Sequence, residues 1–183
     1  MRIRRRVLLV SFFLASLAVC LLVWGVAWWY EEQAQCYTCI EDGPYVGGKV
    51  AKPPWGTKAV LNLCEQEDSY QTEIHVWEPI PDAEPAPTLD WLRERVRFID
   101  AQQKAGFKTF VHCRNGVSRS GMVVVAYLMF KNEWTRDEAL EFVRKKRPEV
   151  RPNRAFMERL LDWERVLKGQ PVEENPSHPT GHS

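Results

Sequence analysis

At 183 residues the chain is long enough for one ordinary domain of about 150 residues and an appendage. A hydrophobic content of 45% with 27% charged residues is globular and excludes wholesale disorder. The formal charge of +1 is unevenly spread. Residues 1–30 carry Arg2, Arg4, Arg5 and Arg6 and no acid, while the remaining 21 basic residues face 24 acidic ones. An acidic body without a basic stripe argues against a nucleic-acid partner.

Residues 1–6 read as a basic flank. From Val7 to Tyr30 no residue is charged, and about 20 apolar residues suffice to cross a bilayer core. Trp24, Trp28, Trp29 and Tyr30 cluster at the far end, where aromatic side chains favour the lipid–water interface. The arginines before the segment, and Glu31, Glu32, Glu41 and Asp42 after it, predict a single-pass signal anchor over 7–30. That topology puts the N-terminus in the cytoplasm and the rest of the chain outside it. A cleaved signal peptide is the alternative, releasing a secreted or periplasmic protein.

Residues 31–43 read as a linker, and the Cys36-Tyr37-Thr38-Cys39 spacing within it has no second pair to complete a zinc site. Tyr45-Val46 starts a short strand, and Lys58–Leu63 and Ile74–Trp77 are apolar runs of strand length. The four prolines between Pro79 and Pro87 make a loop. Thr88 then caps a helix whose apolar face is Leu89, Leu92, Val96 and Ile99. Phe107–His112 is a further strand and Ser118–Phe130 a buried helix. Thr135 and Glu138 form a capping-box pattern for a helix over 136–146, and a last amphipathic helix covers 154–167. The tail from 169 to 183 is rich in proline and polar residues and is expected to be disordered. Strands alternating with helices predict an α/β fold, a short central sheet flanked by helices in one domain over 44–168.

The chemistry is concentrated between Phe110 and Gly121, in Phe-Val-His-Cys-Arg-Asn-Gly-Val-Ser-Arg-Ser-Gly. A strand ends at Cys113, a tight turn follows, and a helix starts near Arg119. Main-chain amides of such a turn and the positive end of the helix make a cradle for a dianionic oxyanion. Gly116 allows the backbone to bend there. Arg119 offers a planar fork that grips two phosphate oxygens at once. The same positive surroundings lower the pKa of Cys113, and a thiolate under a bound phosphate is placed for in-line attack.

These residues match the signature His-Cys-x5-Arg-Ser/Thr, and the chain resembles the protein tyrosine phosphatase superfamily, with Gly116–Gly121 and the following Ala126-Tyr127-Leu128-Met129 resembling its dual-specificity branch. The resemblance runs from about Tyr45 to Lys168 and includes Asn62 and the Arg147–Phe156 segment. It implies that Cys113 is the nucleophile, Arg119 the phosphate clamp, and Ser120 the hydroxyl that stabilises the departing thiolate. It further implies a substrate cradle of Arg114, Asn115, Gly116, Val117 and Ser118, with His112 as a supporting residue. It implies neither cofactor nor metal. An aspartate about thirty residues before the cysteine supplies the proton to the leaving group in that family, and Asp82 stands 31 positions before Cys113, with Glu84 and Asp90 as competitors. The implied substrate is a phosphorylated protein. Relatives that take inositol lipids carry lysines in this loop, where Arg114 is here the only extra basic residue, and a lipid phosphate monoester and a phosphate-binding pseudoenzyme are kept as the alternatives.

Overall fold

The computed structural model describes residues 16–26 and 36–172. The chain divides into two units, 1–35 and 36–183. In the first, residues 16–26 form helix α1, all of it exposed. Among the described residues no helix is long and apolar enough to cross a membrane. Most of the expected span 7–30, all of the flank 1–6 and the tail beyond 172 lie outside the described residues.

The second unit is built on a five-stranded sheet. Strands β1 (Tyr37–Cys39), β2 (Pro44–Gly47), β3 (Thr57–Asn62), β4 (Ile74–Trp77) and β5 (Lys108–His112) take the order β1-β2-β5-β3-β4. The last four run parallel, and β1 pairs antiparallel with β2, placing Tyr37 opposite Gly47. Strand β1 lies in the segment read from the sequence as linker. Three residues with no apolar alternation carry no strand pattern of their own, and the free edge of β2 recruits them. The sheet is therefore mixed, with one antiparallel edge strand.

Helices α2 (Leu89–Lys104), α3 (Arg119–Asn132), α4 (Arg136–Lys146) and α5 (Arg154–Leu167) follow. Their starts are written in the sequence. Thr88 accepts from Trp91 N at 3.2 Å, Thr135 and Glu138 make a reciprocal capping box, and Asn153 accepts from Phe156 N at 2.9 Å. Helix α2 ends at Lys104 with Ala105 as its C-cap, and Gly106 beyond takes φ 74°, a conformation that glycine reaches without steric cost.

Side chains alternate across β3 and β5, so Leu61 and Val111 enter the main core with the helices while Val60 and Phe110 face the other way. Helix α3 is the centre of the main core: Met122 through Met129 are all buried. No polar stripe remains on it because α2, α4, α5 and the sheet cover it from different sides. Trp163 of α5 fastens the contact by donating its indole N–H to Ala126 O at 3.1 Å. The opposite sheet face is covered by a smaller cluster in which Cys36, Tyr37, Tyr45 and Tyr70 pack against Val50, Val60 and Phe110. Cys36 and Cys39 thus belong to an edge-strand region. Cys39 is exposed and gives its thiol proton to Glu41 O.

Parallel strands ending together leave a crevice at their carboxyl ends. Gly47, Asn62, Trp77 and His112 mark that end of the sheet. The loop from Cys113 to Ser118 begins there.

Candidate active site

Between β5 and α3 the backbone turns through Cys113, Arg114, Asn115, Gly116, Val117 and Ser118. The carbonyls of this turn are tied outward: Arg114 O accepts from Lys49 N at 3.1 Å, Gly116 O from Arg147 Nε at 3.1 Å, and Val117 O from Arg151 N at 2.9 Å. A trans peptide points its carbonyl and the next N–H in opposite directions. The amides of Asn115, Val117 and Ser118 therefore face the inside of the turn. Gly116 has φ 68°, and a Cβ there would overlap the Gly47 carbonyl carbon and the Gly48 nitrogen, so glycine is demanded both by torsion and by space.

Cys113 lies at the floor, buried, its amide donating to Gly47 O at 3.2 Å. Its sulfur is 3.3 Å from Ser120 Oγ. Burial pushes the thiol pKa up. The Ser120 hydroxyl, the amides of Ser120 and Gly116 and the Arg119 charge outweigh burial, and the net shift is downward from the ordinary 9.0. The single hydroxyl proton of Ser120 has two acceptors in reach, Cys113 Sγ and Gly47 O, each at 3.3 Å.

Ser118 occupies the N-cap of α3 and makes no capping bond. Its hydroxyl donates to Asp82 Oδ1 at 2.7 Å, and no acid stands in the first turn of the helix. The positive end of α3 is thus left open toward the cradle.

Arg119 is buried and steered by one nitrogen. Its Nη1 donates to Glu65 Oε1 at 2.6 Å, Ile80 O at 3.1 Å and Leu63 O at 3.3 Å. Among the described residues its Nε is buried without a hydrogen-bond partner, 4.0 Å from Asp82 Oδ2. One side of the guanidinium is anchored and the other is left with a donor to give. Glu65 itself is held below the ordinary carboxylate value, first by its own backbone amide, which burial opposes, and further by Arg119.

Asp82 comes from the loop after β4, and the structure brings it to the cradle, as neither Glu84 nor Asp90 is brought. Its Oδ1 accepts both from Ser118 Oγ and from Asn153 Nδ2, the latter at 2.9 Å. Asn153 also donates its backbone N–H to Ser118 Oγ at 3.0 Å. Because the Asn153 carbonyl oxygen is engaged in capping α5, its amide nitrogen is the end left for Asp82. Glu84 is bonded to Arg154 and Asp90 to Arg93 on the surface.

Arg114 and Asn115 are exposed at the rim, Val117 is half-buried, and His112 is fully buried behind the cysteine, bonded to Asp68. Neither Glu65 nor Asp68 stands in a motif, and Arg147 lies in the segment of resemblance without a role assigned there. For Asn153, its place after Pro152 at a helix start is the signal that was available. Among the described residues no cluster of His, Cys, Asp and Glu is arranged to hold a metal ion.

A family model described as the dual specificity phosphatase catalytic domain matches residues 52–166. Human dual specificity protein phosphatase 1 is 43% identical over 111 residues, covering 60% of this chain and 30% of that protein. Rat dual specificity protein phosphatase 5 is 35% identical over 122 residues, covering 65% and 32%. The chain matches about a third or less of the length of these curated relatives. Among solved structures, Tk-PTP in the active form superposes with a TM-score of 0.61 at 30% identity, over 70% of this chain and 95% of that one. PTPMT1 in complex with PI(5)P superposes with a TM-score of 0.66 at 22% identity, over 73% and 97%.

Proposed function

The chain belongs to the dual specificity phosphatase family, and from that premise we propose that it is a cysteine-dependent hydrolase of phosphate monoesters on protein Tyr, Ser or Thr residues. One observation carries the reading: a buried cysteine with a lowered pKa lies beneath inward-facing amides, beside an arginine whose buried Nε has no hydrogen-bond partner among the described residues.

In this mechanism a phosphate dianion settles in the turn, held by the amides of residues 115, 117 and 118 and by the free edge of Arg119. The Cys113 thiolate attacks phosphorus, forming the S–P bond as the P–O bond to the substrate breaks. Asp82 gives its proton to the departing oxygen, without which an alkoxide would have to leave. Two donors already occupy its Oδ1, so Oδ2 is the oxygen that carries the proton. Water then attacks the phosphocysteine, Asp82 takes back a proton, and the Ser120 hydroxyl donates to the sulfur as it leaves. Inorganic phosphate is released and the thiolate restored.

A second reading, hydrolysis of a lipid phosphate monoester, is favoured by the exposed Arg114 at the rim and by the fold likeness to PTPMT1, whose complex contains PI(5)P. Phosphate release from a phosphotyrosyl peptide and from phosphoinositide vesicles, with Cys113→Ser as the blank, decides between them. Faster turnover of the peptide supports the protein substrate, and faster turnover of vesicles replaces it. We further propose that residues 7–30 anchor the enzyme in a membrane with the catalytic domain on the extracytoplasmic side. Protease cleavage of residues 36–172 in intact cells is the expected result, and full protection would reverse the orientation.

A further inference from the structure

Immediately before Cys113, at the end of β5, the imidazole of His112 is wholly buried. Its Nε2 lies 2.9 Å from Asp68 Oδ2, and the same oxygen takes a second bond, at 3.2 Å, from Nε2 of His75 in β4. A carboxylate oxygen can only accept, so the hydrogen-bond partners assign a proton to Nε2 of each histidine. The other ring nitrogen of His112, Nδ1, faces Cys64 Sγ at 3.8 Å. Burial, and then the Cys113 thiolate, push the Cys64 thiol up to about 12, so Cys64 keeps its proton at neutral pH and has one to offer. With Nε2 carrying the proton shared with Asp68, a neutral His112 ring has Nδ1 as the acceptor for the Cys64 thiol and is left with one tautomer.

None of these groups takes part in the hydrolytic steps above. Yet the Asp68 side chain is wholly buried, and an isolated carboxylate in that position costs several kcal/mol. Burial raises its pKa, but His112 and His75 outweigh burial and hold the carboxyl below its ordinary value. The ring of His112 is fixed on its other side by stacking on Phe110, with centroids 4.8 Å apart. Its carbonyl accepts from Leu63 N at 2.9 Å. The direction in which the chain delivers Cys113 is thus set by a residue whose side chain is held at both nitrogens and on one face.

We propose that Asp68 is a positioning residue for the nucleophile: it fixes the tautomer and ring plane of His112, and through residues 112–113 the direction of the Cys113 thiolate, with His75 as a second donor to the same carboxylate oxygen. The proposal rests on the phosphatase reading for its kinetic consequence, though not for its tautomer.

The test is run on the full chain with histidine 15N NMR and with p-nitrophenyl phosphate kinetics. In the parent protein, His112 is expected as the Nε2–H tautomer. Asp68→Ala, which leaves Nε2–H without an acceptor, shifts the proton toward Nδ1. It lowers kcat at least about tenfold while KM stays within about threefold. Asp68→Asn keeps an acceptor oxygen and is expected to retain both the tautomer and most of kcat. A merely structural aspartate would give loss of stability with the tautomer unmoved. An Nδ1–H tautomer in the parent overturns the proposal even if Asp68→Ala does not fold. So does Asp68→Asn losing as much kcat as Asp68→Ala. If the parent releases no phosphate beyond the Cys113→Ser blank, the phosphatase reading fails, whereas the tautomer remains measurable on its own.

Discussion

Ser118 gives its hydroxyl proton to Asp82 at 2.7 Å instead of capping the helix it begins. The hydroxyl joins the phosphate cradle to the loop that carries the candidate acid, and Asn153 closes the link from the start of α5.

Asp82→Asn is therefore expected to slow hydrolysis of an alkyl phosphate by about 10²–10⁴-fold. For p-nitrophenyl phosphate, whose phenolate leaves without help, the loss is much smaller. Ser118→Ala should show the same leaving-group dependence in milder form. Steady-state rates on the two substrates check this, and equal losses on both would remove Asp82 from the acid's role.

The lowered pKa of Cys113 has consequences for both reactivity and stability. Inactivation by iodoacetamide should reach half its maximal rate below pH 9.0, the ordinary value for a cysteine thiol. The unfolded chain holds this proton to higher pH than the folded one. Stability from this group therefore rises with pH between the two values and is fully present above 9.0. It is lost as pH falls through the folded value. Ser120→Ala removes the largest of the hydrogen bonds that lower it, so its alkylation midpoint moves up. Breakdown of the phosphocysteine, which needs a stabilised thiolate, should slow about 10²-fold or more in a rapid-quench measurement.

Gly116→Ala is expected to destabilise the domain by at least about 2 kcal/mol, combining a positive φ with a Cβ driven into backbone. Urea unfolding reads this directly. Wild-type stability in the variant would mean that the loop can shift away from Gly47.

Arg119→Lys keeps the charge but loses the fork. A lysine cannot hold Glu65, Ile80 O and Leu63 O with one nitrogen while presenting another donor inward. kcat/KM on any phosphate monoester should fall on the order of 10²–10³-fold. A loss below tenfold would show that charge alone is what the site uses.

The cradle was legible in the sequence because its residues are contiguous: Cys113 to Ser120 carry the proposed nucleophile, the amides, the glycine and the arginine in one run. The starts of α2, α4 and α5 are local in the same way, each cap accepting from an amide three residues on. What surrounds the cradle was not. Glu65 reaches Arg119 across 54 positions, Arg147 reaches Gly116 across 31, and Asp68 reaches His112 across 44. Those pairings exist only once β3 lies beside β5 and α4 has packed on α3. Asp82 was reached through family spacing, and no local pattern distinguishes it from Glu84. Strand β1 was missed because its neighbour's open edge, not its own residues, makes it a strand.

The close approach of Gly116 to the Gly47–Gly48 backbone bears on design. The eight residues from Cys113 to Ser120 are only half of a mould whose other half is Gly47, Gly48 and the amide of Lys49. Grafting the eight onto another strand–helix junction would carry over the reactive groups without the wall that shapes them. A working transplant would have to move the turn after β2 together with the loop after β5, as one piece.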